Sequence, residues 1–550
     1  MPCRSGRGVS GGAYTAPMHP YVVEQFTDEE RRFLSRFVTN TDRPVFGLVN
    51  LPEVVKGALF ARYSRSRKSL RRLLLDEFRD DLEGLEVDVD RTAADRAERL
   101  YQRVFDEYGD DSVAQLGGAH VAVEQASNLL TKVLEWGRLG AYLEQSTRYM
   151  RYDDKPGGRY RYYVDPDVAA SPLGETYRRE MDATFDGYSA LFEPVLAWAR
   201  ERFPQEDGVS DAVYRNTLNA KACDVLRGLL PAATVSNVGI FATGQAYENL
   251  LLRLRSHELA EAREVGDLLL AELRQVIPSF LVRVDRPDRG GVWSDYLRAT
   301  RDATRAVADE VLGGEKPADA PEVALVDWDD DAETDIVVAM LYPYSDLPEA
   351  QLRRLVEDMP SAERTRVVEA YAGERRNRRH RPGRALERAF YRFDVLGDYG
   401  AFRDLQRHRM LTIEWQELGC RHGYDVPPEI VEAGAEDDWH RIMERQARLW
   451  ESLRADFPRQ AQYAVGLAWK LRYSMNLNAR AAMQMLELRT TPQGHPSYRR
   501  VAQEMHRQIG EVAGHHAIAA MMRFVDYGQA ELERLEAEKA SEAKRAARGA

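Results

Sequence analysis

Two short segments of this sequence carry side chains that could grip an oxyanion. One is Glu144-Gln145-Ser146-Thr147-Arg148-Tyr149, with Trp136-Gly137-Arg138 just before it; the other is Arg407-His408-Arg409-Met410-Leu411-Thr412. A hydroxyl and guanidinium forks on a short irregular stretch after a helix make a phosphate cradle, which Arg227 of Arg227-Gly228-Leu229-Leu230-Pro231 could join. Arg407, His408, Arg409 and Arg480 suit a ligand with an anionic ring or a pyrophosphate. The same residues also read as solvated surface, a cap and strand start, a helix-end charge and an exposed helix face.

The elements that must position these residues come in two matching sets. FGLVNLPEVVKGALFARYSRSRKSLRRLLLDEF reads as a strand, a helix ending near Tyr63 and a second helix carrying Leu70-Arg71-Arg72-Leu73. VALVDWDDDAETDIVVAMLYPYSDLPEAQLRRLVEDM repeats that order, with a helix ending near Tyr344 and then Leu352-Arg353-Arg354-Leu355. RYRYYVDPDV and RHGYDVPPEI match further on, each an extended segment running into Pro and a long amphipathic helix. The fold class expected is α/β, in two tandem copies of one unit, each a small twisted sheet with long flanking helices. Residues 1–40 read as a disordered lead, to about residue 20, and an entry segment before the first copy at 41–290. A linker at 291–321, a second copy at 322–528 and a charged helical tail at 529–550 follow, the Gly- and Pro-containing stretch after Gly313 being the clearest break.

Here the motifs reach a family. The pattern R-H-R-x-x-S-x-N-E-x-S-x-R-Y resembles that of the flavin-dependent thymidylate synthases, split between the copies. The second copy holds R-H-R with Thr412 for the first Ser; the first holds Arg138 and then E-x-S-x-R-Y. Arg227 to Pro231 resembles the family's R-x-x-L-P, with Arg255 as a final arginine. Asn478, Arg480, Gln484 and Arg489 resemble its N-x-R-x-x-x-N-x-x-x-x-R, with Gln484 for the second Asn. The resemblance gives deoxyuridylate binding to Arg138, Glu144, Ser146, Arg148, Arg227 and Arg255, with Arg255 catalytic through polarisation of the uracil. It gives flavin binding to Glu387, Arg407, His408, Arg409, Asn478, Arg480 and Gln484. Trp136 and Gly137 depart from the pattern in copy one; Glu414, Trp415, Glu417 and Gly419 depart from it in copy two. Glu417 would repel a phosphate, so nucleotide is expected in copy one only.

What the resemblance implies is reductive methylation of C5 of dUMP or a related pyrimidine nucleotide, with FAD as cofactor and NADPH and methylenetetrahydrofolate as co-substrates. It also implies a homodimer that mimics the family's tetramer. A cysteine nucleophile is not expected, since Cys3, Cys223 and Cys420 lack a basic partner in sequence. The alternatives are a non-catalytic flavin or nucleotide scaffold, and an RNA-binding derivative using the basic run Arg375 to Arg384.

Composition agrees with a folded protein. The 550 residues are 44% hydrophobic, 30% charged and 9% aromatic, which excludes global disorder. A net charge of -12 argues against a protein that coats nucleic acid with its whole surface. No signal peptide, membrane span or metal motif is read, so a cytoplasmic protein is expected. Gly6-x-Gly8-x-x-Gly11 has no room for a preceding strand and is set aside as a dinucleotide motif.

Overall fold

The computed structural model describes residues 21–51, 53–63, 66–82, 115, 117–528, 531, 532, 534–536, 538–540, 542 and 543. Cys3, the Gly6 to Gly11 string and the end of the charged tail lie outside the described residues.

Two four-stranded antiparallel sheets repeat one strand order. β1 (Val45–Leu48), β2 (Gly118–Ser127), β3 (Gly140–Glu144) and β4 (Val235–Thr243) lie as β1-β2-β4-β3. β5 (Val323–Trp328), β6 (Phe390–Asp398), β7 (Thr412–Trp415) and β8 (Lys470–Asn478) lie as β5-β6-β8-β7. The helices ordering the rest are α1 (Asp28–Leu34), α2 (Glu53–Tyr63), α3 (Leu70–Leu82), α4 (Asn128–Leu134), α5 (Gly174–Ala190), α6 (Asp211–Leu226), α7 (Gly244–Arg255), α8 (Ala260–Leu273) and α9 (Val292–Leu312). In the second half they are α10 (Ala332–Leu341), α11 (Glu349–Glu357), α12 (Tyr399–Gln406), α13 (Glu436–Arg454), α14 (Ala479–Arg489) and α15 (Pro496–Glu511). The strand, helix, helix order seen in the sequence before Leu82 and after Val323 is therefore present in both units.

Local chemistry explains the strand-to-helix junctions. The last residue of β2, β4, β6 and β8 is Ser127, Thr243, Asp398 and Asn478, and each side chain accepts from a backbone N–H in the first turn of the next helix. Short polar side chains of this type satisfy donors that a helix start leaves open. Strand ladders then fix the equivalence of the two copies. Ser127 faces Val235 and Asp398 faces Lys470, while Glu144 faces Val238 and Trp415 faces Tyr473. By this count Trp136 corresponds to Arg407, and Trp415 to Glu144.

The copies are joined through equivalent backbone. Pro231 and Gly466 form an antiparallel bridge. Around it Ala232 N–H donates to Val465 O at 2.8 Å, Ala233 N–H to Tyr463 O at 3.0 Å, Leu467 N–H to Leu230 O at 3.0 Å and Ala468 N–H to Gly228 O at 2.8 Å. One hydrophobic core runs across this junction, with Leu226, Leu229, Val238 and Ile240 buried together with Phe402, Trp439, Leu467 and Met475. Gly228 is required by close packing, since a Cβ there would lie 2.8 Å from the Trp439 ring. A second, smaller core lies under α1, α2 and α3, built on Phe33, Leu34, Phe46, Leu59 and Leu74.

Two stretches hold helices beyond the sequence expectation. The entry segment before residue 41 holds a helix: α1 begins with a capping box in which Thr27 and Glu30 bond each other's backbone, and Phe33 and Leu34 are buried. Most of 291–321 is the 21-residue helix α9. The stretch from Val292 to Leu312 contains neither Gly nor Pro, so helix propagates until Gly313 and Gly314 end it.

Candidate functional site

The two motif segments meet at the junction of the copies. Glu144, at the end of β3, is fully buried and accepts from Arg403 at 2.6 Å and from Arg407 at 2.7 Å, both from the second copy. Lys132 of α4 adds a third bond at 3.3 Å. Burial opposes the charge, but Arg403, Lys132 and Arg407 outweigh it and hold the carboxyl well below its usual range. Arg138 reaches the other way across the junction, its Nη2 donating to Leu411 O and Thr412 Oγ1, each at 3.1 Å.

Arg138, Arg407, His408 and Arg409 line a chamber of about 250 Å³ together with Ala481, Gln484, Leu488 and Arg489 of α14. No carboxylate lines it. An adjoining chamber of about 250 Å³ shares Arg138, His408, Arg409 and Leu411 and adds Trp136, Gly137, Arg253 and Glu414. His408 is the neutral member of the triplet. Burial, with Arg489 and Arg407 nearby, pushes its pKa well below the ordinary value, and its Nε2 accepts from Arg489 Nε at 2.8 Å.

A second group of flavin-assigned residues sits at the start of α14. Arg480 donates to Glu387 at 3.3 Å, Arg384 donates to Glu387 at 2.9 Å, and Arg381 donates to Gln484 at 2.8 Å. Asn478 is occupied as the cap of α14, its Oδ1 accepting from Ala481 N–H at 2.9 Å. The basic run divides: Arg375 is buried in a bidentate pair with Glu487, both bonds 2.6 Å, whereas Arg376, Arg379 and Arg381 are exposed. Arg375 is thus a core residue, not part of a nucleic-acid surface.

The nucleotide-assigned residues are distributed differently from the sequence expectation. Arg148 bonds Asp224 through two nitrogens at 2.7 Å, Tyr498 OH at 2.8 Å and Gln493 O at 3.1 Å. Arg534 also bonds Asp224, at 2.9 Å. Arg227 is buried and donates to Asp404 at 3.2 Å, and Asp404 lies 3.8 Å from Arg407 and 3.7 Å from Arg489. Ser146 Oγ accepts from Arg148 N–H at 3.2 Å. The cradle is therefore closed by the chain's own carboxylates. Against the burial that opposes their ionisation, the surrounding arginines hold Asp224 and Asp404 far below the usual carboxylate range.

Arg255 is not brought to this site. It pairs with Asp267 of α8, while Arg253 of the same helix lies over the Trp136 ring, 5.3 Å from its centroid. Two helical positions are about 200° apart, so only one of these arginines can face the junction. Arg489 takes the junction position instead. Asp224, Asp404, Arg403 and Lys132 join the site without having been expected there; charged residues at buried helix positions in ACDVL, AFRDLQ and NLLTKVL were the available signal.

The cysteines agree with a site that uses no thiol. Burial pushes the Cys223 thiol up to about 12 and raises Cys420 as well. Among the described residues no His, Cys, Asp and Glu group could hold a metal ion, and no helix is long and apolar enough to cross a membrane.

The chain is similar to known proteins over most of its length. The chain is 41% identical over 524 residues to a UPF0159 protein of Chlamydia muridarum, covering 93% of this chain and 98% of that one. It is 30% identical over 512 residues to a UPF0159 protein of Thermoplasma acidophilum, covering 88% and 97%. A solved UMP/dUMP methylase of Streptomyces cacaoi aligns at 18% identity with a TM-score of 0.29, over 37% of this chain and 97% of that one. Residues 58–279 and 324–514 each match the family described as thymidylate synthase complementing protein. With both repeats matched in tandem across most of its length, the chain belongs to that family.

Proposed function

We propose that the chain is a cytoplasmic reductive methyltransferase for dUMP or a related pyrimidine nucleotide, with FAD held by the second copy. NADPH and methylenetetrahydrofolate would be its co-substrates. The observation that carries this reading is the carboxylate-free chamber between Arg407, Arg409, Arg489 and the crossing Arg138. Such a donor set fits an anionic ring or phosphate, and two adjoining chambers give room for a body beyond the head group. A bound reduced flavin would supply the hydride.

The chain's own residues divide the remaining work. Arg407 and Arg138 hold the anionic edge of the ligand, Arg407 being fixed by Glu144 and Arg138 by Leu411 O. Neutral His408, whose Nε2 accepts from Arg489, has its Nδ1–H left to donate without adding charge. Arg489, not Arg255, is the cation available to polarise a uracil carbonyl as C5 gains electron density. Gln484 and Arg480 of α14, with the Glu387 that pairs with Arg480, extend the contact. Two chains would pair as a pseudo-tetramer, which light scattering can test. The decisive experiment is the visible spectrum of the purified protein followed by tritium release from C5-labelled deoxyuridylate. Bound flavin with tritium release supports the reading; an absence of both refutes it.

A second reading, a scaffold that binds flavin without methylating, is favoured by one observation. Asp224 and Asp404 neutralise Arg148 and Arg227, the two arginines a phosphate would need. Flavin binding without tritium release would select it.

A further inference from the structure

A cavity of about 540 Å³ is lined by the first repeat and by Tyr21, Val22 and Glu24 of the segment before it, and shares no lining residue with the chambers at the junction. Its floor is the β2–β4 ladder, where the register shifts between Val123 and Ala126. Gln125 sits in this bulge at φ 56°, a left-handed conformation that a non-glycine residue adopts at a cost. Its N–H donates to Asn237 Oδ1 at 3.0 Å. The matching strand β6 runs beside β8 without a shift. The distortion therefore belongs to the copy that has the cavity.

The wall is cationic. Arg67, Arg159, Arg161 and Arg178 line it. Arg67 approaches Asp153 only at 3.5 Å and Arg178 approaches Glu175 at 3.9 Å. Arg161 pairs with Asp154 through one nitrogen, and its Nε is buried with no hydrogen-bond partner. Two carboxylates also line the cavity, but both are already committed. Glu124 accepts from Tyr21 OH, Tyr63 OH and Leu70 N–H at 2.9, 3.2 and 3.1 Å, and Glu24 accepts from Arg72 at 2.7 Å and from Ser69. Beside the arginines stand the amides of Gln145 and Asn237 and the ring of Tyr162, groups that read the polar edge and the face of a heterocycle.

We propose that this cavity is a second ligand site, built for a heterocycle bearing an oxyanion head. The guanidiniums take the head, phosphate or carboxylate alike. Asn237, held by the strained bulge, and Gln145 read the ring. The site stands apart from the methyltransferase reading and does not depend on it.

Calorimetric titration of the full chain with deoxyuridine monophosphate and, separately, with orotate tests this. The wild type is compared with Arg159→Ala/Arg178→Ala and with Arg407→Ala. The expected result is that the double variant weakens at least one probe by about 10–100-fold, and that Arg407→Ala leaves that binding event intact. Monophosphate binding alone assigns a phosphate head, and orotate binding alone a carboxylate head. If the double variant does not fold, Arg67→Ala, on the exposed rim, gives the same comparison. Failure of both probes to bind, or titrations unchanged by the cavity substitutions, would overturn the proposal.

Discussion

Trp136 and Trp415 meet edge to face, 5.8 Å between ring centroids, at the place that mirrors the Glu144–Arg407 ion pair. The two junction positions are related by the internal repeat, yet one holds a charge pair between the copies and the other an aromatic pair. Arg253 covers the Trp136 ring, and Phe402 packs against Trp415 at 5.3 Å. One of the two positions is thus polar and the other aromatic, so among the described residues one ion pair of the Glu144–Arg407 type joins the copies.

Arg407→Ala is expected to abolish retention of an anionic cofactor while leaving the chain folded, because Glu144 keeps Arg403 and Lys132. Arg148→Ala should do the reverse. It strands buried Asp224 on Arg534 alone and should lower stability by about 3 kcal/mol while flavin stays bound. Chemical denaturation and the visible spectrum of each variant check the pair; equal loss of ligand in both would contradict the division between copies.

The basic run separates into structural and solvated members. Arg375→Ala removes one partner of a buried bidentate pair and should destabilise by about 3–5 kcal/mol. Arg379→Ala, on exposed backbone, should change stability by no more than about 0.5 kcal/mol. Urea midpoints of the two variants measure the contrast.

The acid and neutral limbs of the stability profile should have opposite slopes. Burial raises Glu261 from 4.5 to about 7, although Ser127 and Tyr463 donate to it. Its native form binds the proton more tightly than the unfolded form. Its contribution is therefore full below the unfolded value and falls as pH rises through about 7, by on the order of 3 kcal/mol. Glu144, Asp224 and Asp404 are depressed, so their contribution is full above the ordinary carboxylate range and declines as pH falls below it. Glu261→Gln should flatten only the limb approaching neutrality, as read from denaturation midpoints across pH.

Gln125→Gly should stabilise the chain by about 0.5–1 kcal/mol, since glycine adopts the bulge conformation without a Cβ penalty. A melting temperature at or below that of the wild type would show that the Gln125 side chain contributes more than the strain it imposes.

The repeat was legible because strand and helix periodicities survive divergence: β1 with α2 and α3, and β5 with α10 and α11, stand where the apolar patterns place them. The meeting of Arg138 with the R-H-R segment was also legible in outline, through motif halves carried on different copies. The ion pairs inside the junction were not. Arg148 with Asp224, and Arg227 with Asp404, are contacts between residues 76 and 177 positions apart, which no local pattern encodes. Arg255 shows a different limit. Arg253 and Arg255 are two residues and about 200° apart on one helix, so motif spacing read without a strand register can select a side chain on the far face. The fold of 21–40 was signalled by T-x-x-E at Thr27 to Glu30, a cue overshadowed by the glycine-rich start.

The Pro231–Gly466 crossing bears on what would happen if the chain were cut between its copies, in the exposed stretch after Gly313. Each fragment would carry half of a two-stranded seam, with the amides of Ala232 and Ala233 on one and those of Leu467 and Ala468 on the other seeking carbonyls. Fragments produced together should reassemble into the parent molecule, whereas either produced alone should stick to itself or precipitate.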